Sequence, residues 1–349
     1  MGKVEEAILE ILETSKATEI YQSDLVRQSG FSKSRVSEVL AALEMRGLVI
    51  RIPLGRNSRV ILLRNLQRGK SGARKESEKI LNLGIIRASE YPFVLPFEKI
   101  LREKTRIRLH FVFYDNGLDL SRDLSQMRLD LGIAPVLTHF VFYSTGSPIK
   151  MIAPAGAGGA TILGRSTRRK SNKDPGIATT KLSTMELMLR SSIGDGDVPA
   201  SSKVSYYQGP KPMVQDLLTG KVDAACLWEP YASILLRKPG IKRLARYEDS
   251  SEDHLCCALA AGNHIDSSIL HELSGSFNQA LEVFRKNPES YLAPYSTMLN
   301  YDTKLMQLSS KEYSYPTQLD PNRLAKQFDR AGIKIPLPAT VKDAVMSAC

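Results

Sequence analysis

Cysteine is scarce in this chain. Four occur in 349 residues, Cys226, Cys256, Cys257 and Cys349, and no two are spaced as CxxC. With five scattered histidines they give no zinc-ligand pattern, so no metal is expected. Long apolar runs are absent too: none approaches the roughly 18 residues that cross a bilayer. The N-terminus, MGKVEEAILEIL, has Glu5, Glu6 and Glu10 where a secretory signal needs basic residues and then an unbroken apolar stretch. Glu6 also spoils the myristoylation pattern after Gly2. These absences lead us to expect a cytoplasmic protein with no membrane partner. Catalytic signatures are missing as well. No serine–histidine–aspartate order, metal cluster or nucleotide loop is recognisable. The stretch Ala153-Pro-Ala-Gly-Ala-Gly-Gly159 is neither a Walker A loop nor GxGxxG, and reads as a hinge or cleft loop. Neither a catalytic residue nor a cofactor is expected.

What is present describes an ordinary globular protein: 42% hydrophobic and 24% charged residues, with a length that suits two or three domains. The adjacent Cys256-Cys257 pair lies in the apolar run LCCALAA and reads as small core packing rather than a redox pair. The formal net charge of +11 carries information only if it is localised.

It is localised near the N-terminus. From Arg27 to Lys75, twelve Lys/Arg stand against Glu38 and Glu44, a net of +10. The same region has a clear element order. Ala7, Ile8, Ile11 and Leu12 recur at helical spacing and predict a first helix. YQSDLVRQSG predicts a second, with Ser23 as N-cap and Gly30 as stop. FSKSRVSEVLAALEMRG predicts a third, capped by Ser32, ended by Gly47, with Val36, Val39, Leu40 and Leu43 as its buried stripe. Lys33, Ser34, Arg35, Ser37 and Glu38 fall on or near its exposed first turns. Two β-rich runs follow, LVIRIPL and SRVILLR, joined through Gly55-Arg56-Asn57-Ser58.

Three helices and a basic hairpin make a winged helix-turn-helix over residues 1–64. It resembles the small DNA-binding domains of bacterial and archaeal one-component regulators. The resemblance implies that Lys33, Ser34, Arg35 and Ser37 enter the major groove, while Arg56, Asn57 and Arg59 on the wing meet the backbone or minor groove. A focused basic patch is what phosphate binding needs. The alternatives are a solvated basic surface or a winged helix used for protein contacts. Residues 65–79 are polar and glycine-containing, and read as a linker.

From Ile80 strands alternate with helices, and the order recurs. NLGIIRAS, IRLHFVFYD and RLDLGIAP are strands with helices between them; PGIATT, KVSYYQG and KVDAACLW repeat the arrangement. The endings align, Arg128–Ala134 against Lys221–Leu227, although Met127 stands where the second copy has the helix stop Gly220. Two βαβαβ units imply an α/β domain of two lobes, each a mostly parallel sheet: lobe I about residues 80–160 and 250–349, lobe II about 161–249. Arg165, Arg168, Arg169, Lys170 and Lys173 read as a solvated loop. PATVKDAVMS near the C-terminus reads as a final helix.

Ligands collect at the carboxyl ends of strands in such sheets. The candidate ligand residues are therefore Arg87, Ser89, Glu90, Ala134, Lys181, Ser183, Thr184, Tyr207, Gln208, Trp228 and Glu229. A helix begun at Ser183 or Thr184 would favour an anion. Residues 80–349 resemble the type II periplasmic substrate-binding proteins, particularly the nitrate, sulfonate, taurine and thiamine-precursor group. The signals are the Gly220-Lys-Val-Asp223-Ala-Ala strand, Trp228-Glu229-Pro230 and the Thr180–Thr184 turn. That family closes a hinge over a small anionic or zwitterionic ligand. The cysteine-rich iron motif of its pyrimidine-forming members is absent here. Joined to a winged helix, the arrangement is analogous to that of LysR-type regulators. The expectation is a homodimeric, ligand-responsive transcriptional regulator that binds double-stranded DNA. The alternatives are an enzyme using Glu90, Glu229 and Tyr207 on a vitamin precursor, and a DNA-binding protein whose lobes serve assembly.

Overall fold

Short elements of the first seventy residues bury their apolar faces against one another. In the computed structural model α1 (Lys3–Thr14), α2 (Gln22–Ser29) and α3 (Lys33–Met45) enclose Ile8, Leu12, Leu25, Val36, Leu40 and Leu43. Each such side chain contributes about 1.5–3 kcal/mol when fully buried. Residues 3–14, 20–45, 49–54, 57–62, 79–166, 175–246, 254–334 and 340–346 are described. They divide into two units, Met1–Lys79 and Ile80–Cys349.

In the first unit β1 (Ile20–Tyr21) and β2 (Val49–Leu54) pair antiparallel with either side of β3 (Asn57–Leu62). Ser32 Oγ accepts from the Arg35 N–H at 3.3 Å, as an N-cap does. Ser23 does not cap α2: the helix already begins at Gln22, and its N-cap, Tyr21, makes no side-chain bond to it. Strand β1 feeds directly into that helix. Gly30 ends it with φ 71°, a conformation glycine adopts freely. Gly47, Gly55, Arg56 and most of the expected linker lie outside the described residues.

The second unit contains two sheets. One has six strands in the order β14-β7-β13-β6-β4-β5: β4 (Lys79–Ile86), β5 (Ile107–Tyr114), β6 (Leu131–Pro135), β7 (Ile149–Gly158), β13 (Cys257–Gly262) and β14 (Tyr313–Ser314). The other has five in the order β10-β9-β11-β8-β12: β8 (Ala160–Arg165), β9 (Gly176–Thr180), β10 (Lys203–Tyr207), β11 (Ala224–Trp228) and β12 (Ile241–Arg246). Helices α4 (Val94–Thr105) and α5 (Gly117–Ser125) connect the strands of the first βαβαβ unit; α7 (Thr184–Gly194) and α8 (Pro210–Thr219) connect those of the second.

Neither sheet is mostly parallel. β9 pairs parallel with β10 and β11, but β8 pairs antiparallel with β11 and β12. β13 runs antiparallel to both β6 and β7. The returning strands from outside each repeat make the sheets mixed.

The Ala153–Gly159 stretch is not a loop. It is the buried second half of β7, and the chain passes into the other sheet at Gly158 and Gly159, with φ 87° and 71°. A Cβ on Gly159 would also stand 2.1 Å from the Tyr313 ring. The residues are too small and uniform to show strand alternation in sequence. Residues 340–346 form a turn and one parallel bridge, Met151 to Val345, rather than a helix. In α10 (Ser267–Lys286), Leu273, Phe277, Leu281 and Phe284 are buried, and Phe277 meets Phe93 and Phe97 edge-on at 5.3 and 5.1 Å between ring centres. Among the described residues no helix is long and apolar enough to cross a membrane.

Candidate functional site

Strands β4, β6, β9 and β11 end facing one another, and antiparallel β13 begins at the same place. Between them lies a cavity of about 40 Å³, room for about three waters. The six-stranded lobe contributes Ile86, Ala88, Glu90, Tyr91, Asn116, Gly117, Pro135, Cys256 and Cys257. The five-stranded lobe contributes Thr180, Ser183, Thr184, Met185 and Trp228.

Hydrogen bonds draw the lobes together around it. Thr184 Oγ1 donates to the Cys256 carbonyl at 3.0 Å, and Trp228 Nε1 to the Arg87 carbonyl at 3.4 Å. Asn116 Nδ2 donates to the Gln208 carbonyl at 2.9 Å, and Thr138 Oγ1 to the Leu182 carbonyl at 2.5 Å. Each bond of this kind is worth about 1 kcal/mol net.

Helix α7 presents its first turn to the cavity. Ser183 caps it by accepting from the Glu186 N–H at 3.2 Å, while Ser183 Oγ donates to the Thr180 carbonyl at 2.7 Å. Glu186, buried beside the cap, accepts from the Leu182 N–H at 2.6 Å and from Arg190 at 2.8 Å.

Glu90 is the cavity's acidic group. It is 2% exposed, and its Oε1 has no hydrogen-bond partner among the described residues. Burial pushes its carboxyl up to about 8, against smaller lowering effects of hydrogen bonds with Tyr91, Cys257 and Cys256. The group is therefore mostly neutral at pH 7. Beside it the Cys256 and Cys257 sulfurs lie 3.2 Å apart, and Cys256 Sγ is 3.8 Å from Glu90 Oε2. Tyr91 Oη donates to Cys257 Sγ at 3.1 Å. Burial drives the Cys257 thiol well up. The neighbouring Cys257 pulls Cys256 down, but burial and Glu90 outweigh it and raise that thiol too.

The sequence-derived candidates divide clearly. Glu90, Ser183, Thr184 and Trp228 line the cavity. Ser89 and Ala134 are fully buried beside it. Arg87 is half-buried, stacked 5.1 Å over Phe113 with Nε 3.6 Å from Asp115, and Lys181 is exposed. Neither lines the cavity, nor does any other lysine or arginine among the described residues. Tyr207 donates to Asp216 at 2.6 Å, and the Gln208 side chain is exposed. Glu229 is buried behind the cavity, where its Oε2 accepts from the Ser233 N–H at 3.0 Å; burial raises its carboxyl to about 7. Residue spacing could not show Cys256 and Cys257 meeting Glu90, because 166 residues separate the two segments. A thiol or carboxylate oxygen from each of the three lies within 4.8 Å of the others.

On α3, Lys33, Ser34 and Arg35 are exposed and Ser37 is half-buried. Arg35 pairs with exposed Glu38 at 2.8 Å, a contact weak enough to exchange for another. Asn57 and Arg59 belong to β3.

Comparison with known proteins separates the same two regions. Residues 3–63 match a family described as a domain of unknown function, DUF7343. Solved structures match the fold of the larger part. The ligand-binding component of an ABC-type import system from Staphylococcus aureus, solved with zinc bound, aligns with TM-score 0.66 and 17% identity over 77% of this chain and 96% of that one. The alkanesulfonate-binding protein SsuA of Xanthomonas axonopodis pv. citri, bound to MOPS, aligns with TM-score 0.63 and 17% identity, covering 77% of this chain and 98% of its own. The periplasmic aliphatic sulphonate binding protein of Escherichia coli gives 0.63 and 15%, over 78% and 94%. A search of curated proteins gives no match. The larger part of the chain has a periplasmic-binding-protein-like fold. At these identities the likeness is one of fold.

Proposed function

We propose that the chain is a ligand-responsive, homodimeric transcriptional regulator. A winged helix in its first unit binds double-stranded DNA in the cytoplasm, and its second unit senses a small metabolite between two lobes. The observation that carries the sensing role is the buried cavity walled by both lobes, lined on one side by Glu90 and on the other by the first turn of α7. Two of the solved relatives are sulfonate-binding proteins, which favours an anionic or zwitterionic ligand. The anionic end belongs at Thr184 and Met185, where the helix dipole is favourable.

The DNA-binding role is supported by the order α1-β1-α2-α3-β2-β3 with its three-stranded antiparallel sheet, by the exposed Lys33 and Arg35 on α3, and by the +10 charge between Arg27 and Lys75. Ligand changes DNA affinity only if it favours one lobe arrangement over another.

The test has two arms. Full-length protein is mixed with a random-sequence duplex pool over a range of salt, and retained DNA is sequenced. A thermal-shift panel of sulfonates, amino acids and thiamine precursors is read beside it, and hits are added back to the DNA assay. Salt-dependent enrichment of one sequence, altered by a hit, is the expected result. No retention at low salt, or retention unchanged in Lys33→Ala/Arg35→Ala, rejects the DNA-binding role.

A further inference from the structure

We infer that Glu90, Cys256 and Cys257 form a site for a thiophilic divalent cation of the zinc and cadmium class, set in the wall of the ligand cavity. The inference rests on reading that cavity as the ligand site, and adds a coordination position to its wall.

Cys257 is the first residue of β13 and Cys256 stands just before the strand, so strand alternation does not separate them: both line the cavity, with their sulfurs 3.2 Å apart. The Cys256 N–H donates to the Gly156 carbonyl at 2.8 Å, which fixes the chain there. Gly156 clears the remaining space: a Cβ there would stand 2.4 Å from Glu90 Oε1. That oxygen is buried without a partner among the described residues, a costly arrangement, and the other carboxylate oxygen, Oε2, is the one that faces Cys256 Sγ.

The distances fit. Zn–S bonds of about 2.3 Å at tetrahedral angles hold two sulfurs about 3.8 Å apart. The sulfurs here are 3.2 Å apart, and Cys256 Sγ to Glu90 Oε2 is 3.8 Å, so shifts well under 1 Å complete the set. Tyr91 Oη and Thr184 Oγ1 already hold the two sulfurs at 3.1 and 3.3 Å, as outer-shell partners do. Two thiols and a carboxyl suit this class of ion better than magnesium or calcium. Binding forms two metal–sulfur bonds and one metal–oxygen bond; the two thiol protons and any proton on Glu90 pass to solvent, and no electron moves. The fourth position faces the cavity. Two thiolates and a carboxylate outweigh the charge of the cation by one, so the ion meets a ligand as a Lewis acid that accepts one donor atom there, and not as added positive charge.

The test uses reduced, chelator-treated full-length protein under argon, titrated with Co(II) and Cd(II) and then challenged with Zn(II). One equivalent per chain with a thiolate-to-metal charge-transfer band is expected, displaced by zinc. Cys256→Ser/Cys257→Ser removes the band, Glu90→Gln weakens binding at least tenfold, and Cys349→Ser changes neither. Circular dichroism confirms that each variant is folded, and the near-isosteric Glu90→Gln decides the matter if the double variant is not. Absence of the band in wild type, its persistence in the folded double variant, or unchanged affinity in Glu90→Gln overturns the site. A metabolite response of Trp228 fluorescence that survives in a chain binding no metal leaves the sensing role standing and removes only the cation. Metal binding with no metabolite response does the reverse.

Discussion

Glu90 and Gly156 share one space across the six-stranded sheet: a Cβ at position 156 would lie 2.4 Å from the Glu90 carboxylate and 2.9 Å from its Cγ. Gly156→Ala therefore overpacks a buried site, and a loss of about 1–3 kcal/mol is expected. In a Glu90→Ala background most of that loss disappears, because the obstructing group is gone. Urea titrations of the two single variants, the double variant and wild type measure the coupling. Additive losses would show that the two side chains do not compete.

The same carboxyl makes stability depend on pH in an unusual direction. Burial raises Glu90 from 4.5 to about 8 and Glu229 from 4.5 to about 7. In the unfolded chain both ionise near 4.5, so between those limits the folded state holds protons that the unfolded state has lost. Stability contributed by these groups is present below about pH 4.5 and is lost as pH rises through 7 and 8. The slope reaches about 1.4 kcal/mol per pH unit for each group. Above pH 7 the Glu90 contribution persists while that of Glu229 levels off. Glu90→Gln should flatten the unfolding midpoint between pH 7 and 8 in chelated, reducing buffer. An equal fall in the variant and wild type would assign the slope to other groups.

Much of the fold was legible because periodicity reports it. Apolar spacing gives α1 and α3, the stop at Gly30 gives α2, and the recurring order of strands and helices gives the two βαβαβ repeats. The mixed sheets were not, because β8, β12 and β13 come from segments outside the repeats. Of the site, Ser183, Thr184, Trp228 and Glu90 could be placed at strand ends. Where Arg87 and Lys181 point was not legible, since a side chain at a strand end can turn either way: one stacks on Phe113 and the other meets solvent. The dithiol escaped notice because the apolar run around it reads as one strand, whereas β13 begins only at Cys257 and leaves Cys256 before it, free of strand alternation.

Met127 offers a test of the repeat itself. It takes φ 57° after α5, and Gly220 takes φ 77° after α8, so both copies use the left-handed turn and only one has glycine. A side chain in that conformation costs about 1–2 kcal/mol, partly offset by the entropy glycine loses on folding. Met127 is 62% exposed, so its removal sacrifices little packing. Met127→Gly should raise stability by about 0.5–1 kcal/mol, seen as a higher urea midpoint. Destabilisation would mean that the Met127 side chain supports the turn in a way the repeat does not share.

Asn116 separates lobe closure from helix stability. Its Oδ1 accepts from the Asp119 N–H at 2.8 Å and caps α5, while its Nδ2 reaches across the cleft to the Gln208 carbonyl at 2.9 Å. Serine preserves a cap but is too short for the second bond. Asn116→Ser should therefore shift the closing equilibrium by about 1 kcal/mol, lowering the affinity of a cleft ligand about fivefold while helix content stays constant. Trp228, the only tryptophan, is 8% exposed at the cavity wall and reports the change directly. Its emission should move to the red in the ligand-free variant as opening admits water, and return when ligand is added. If emission and affinity both match wild type, the Asn116–Gln208 bond does not contribute to closure, and the other interlobe bonds carry it.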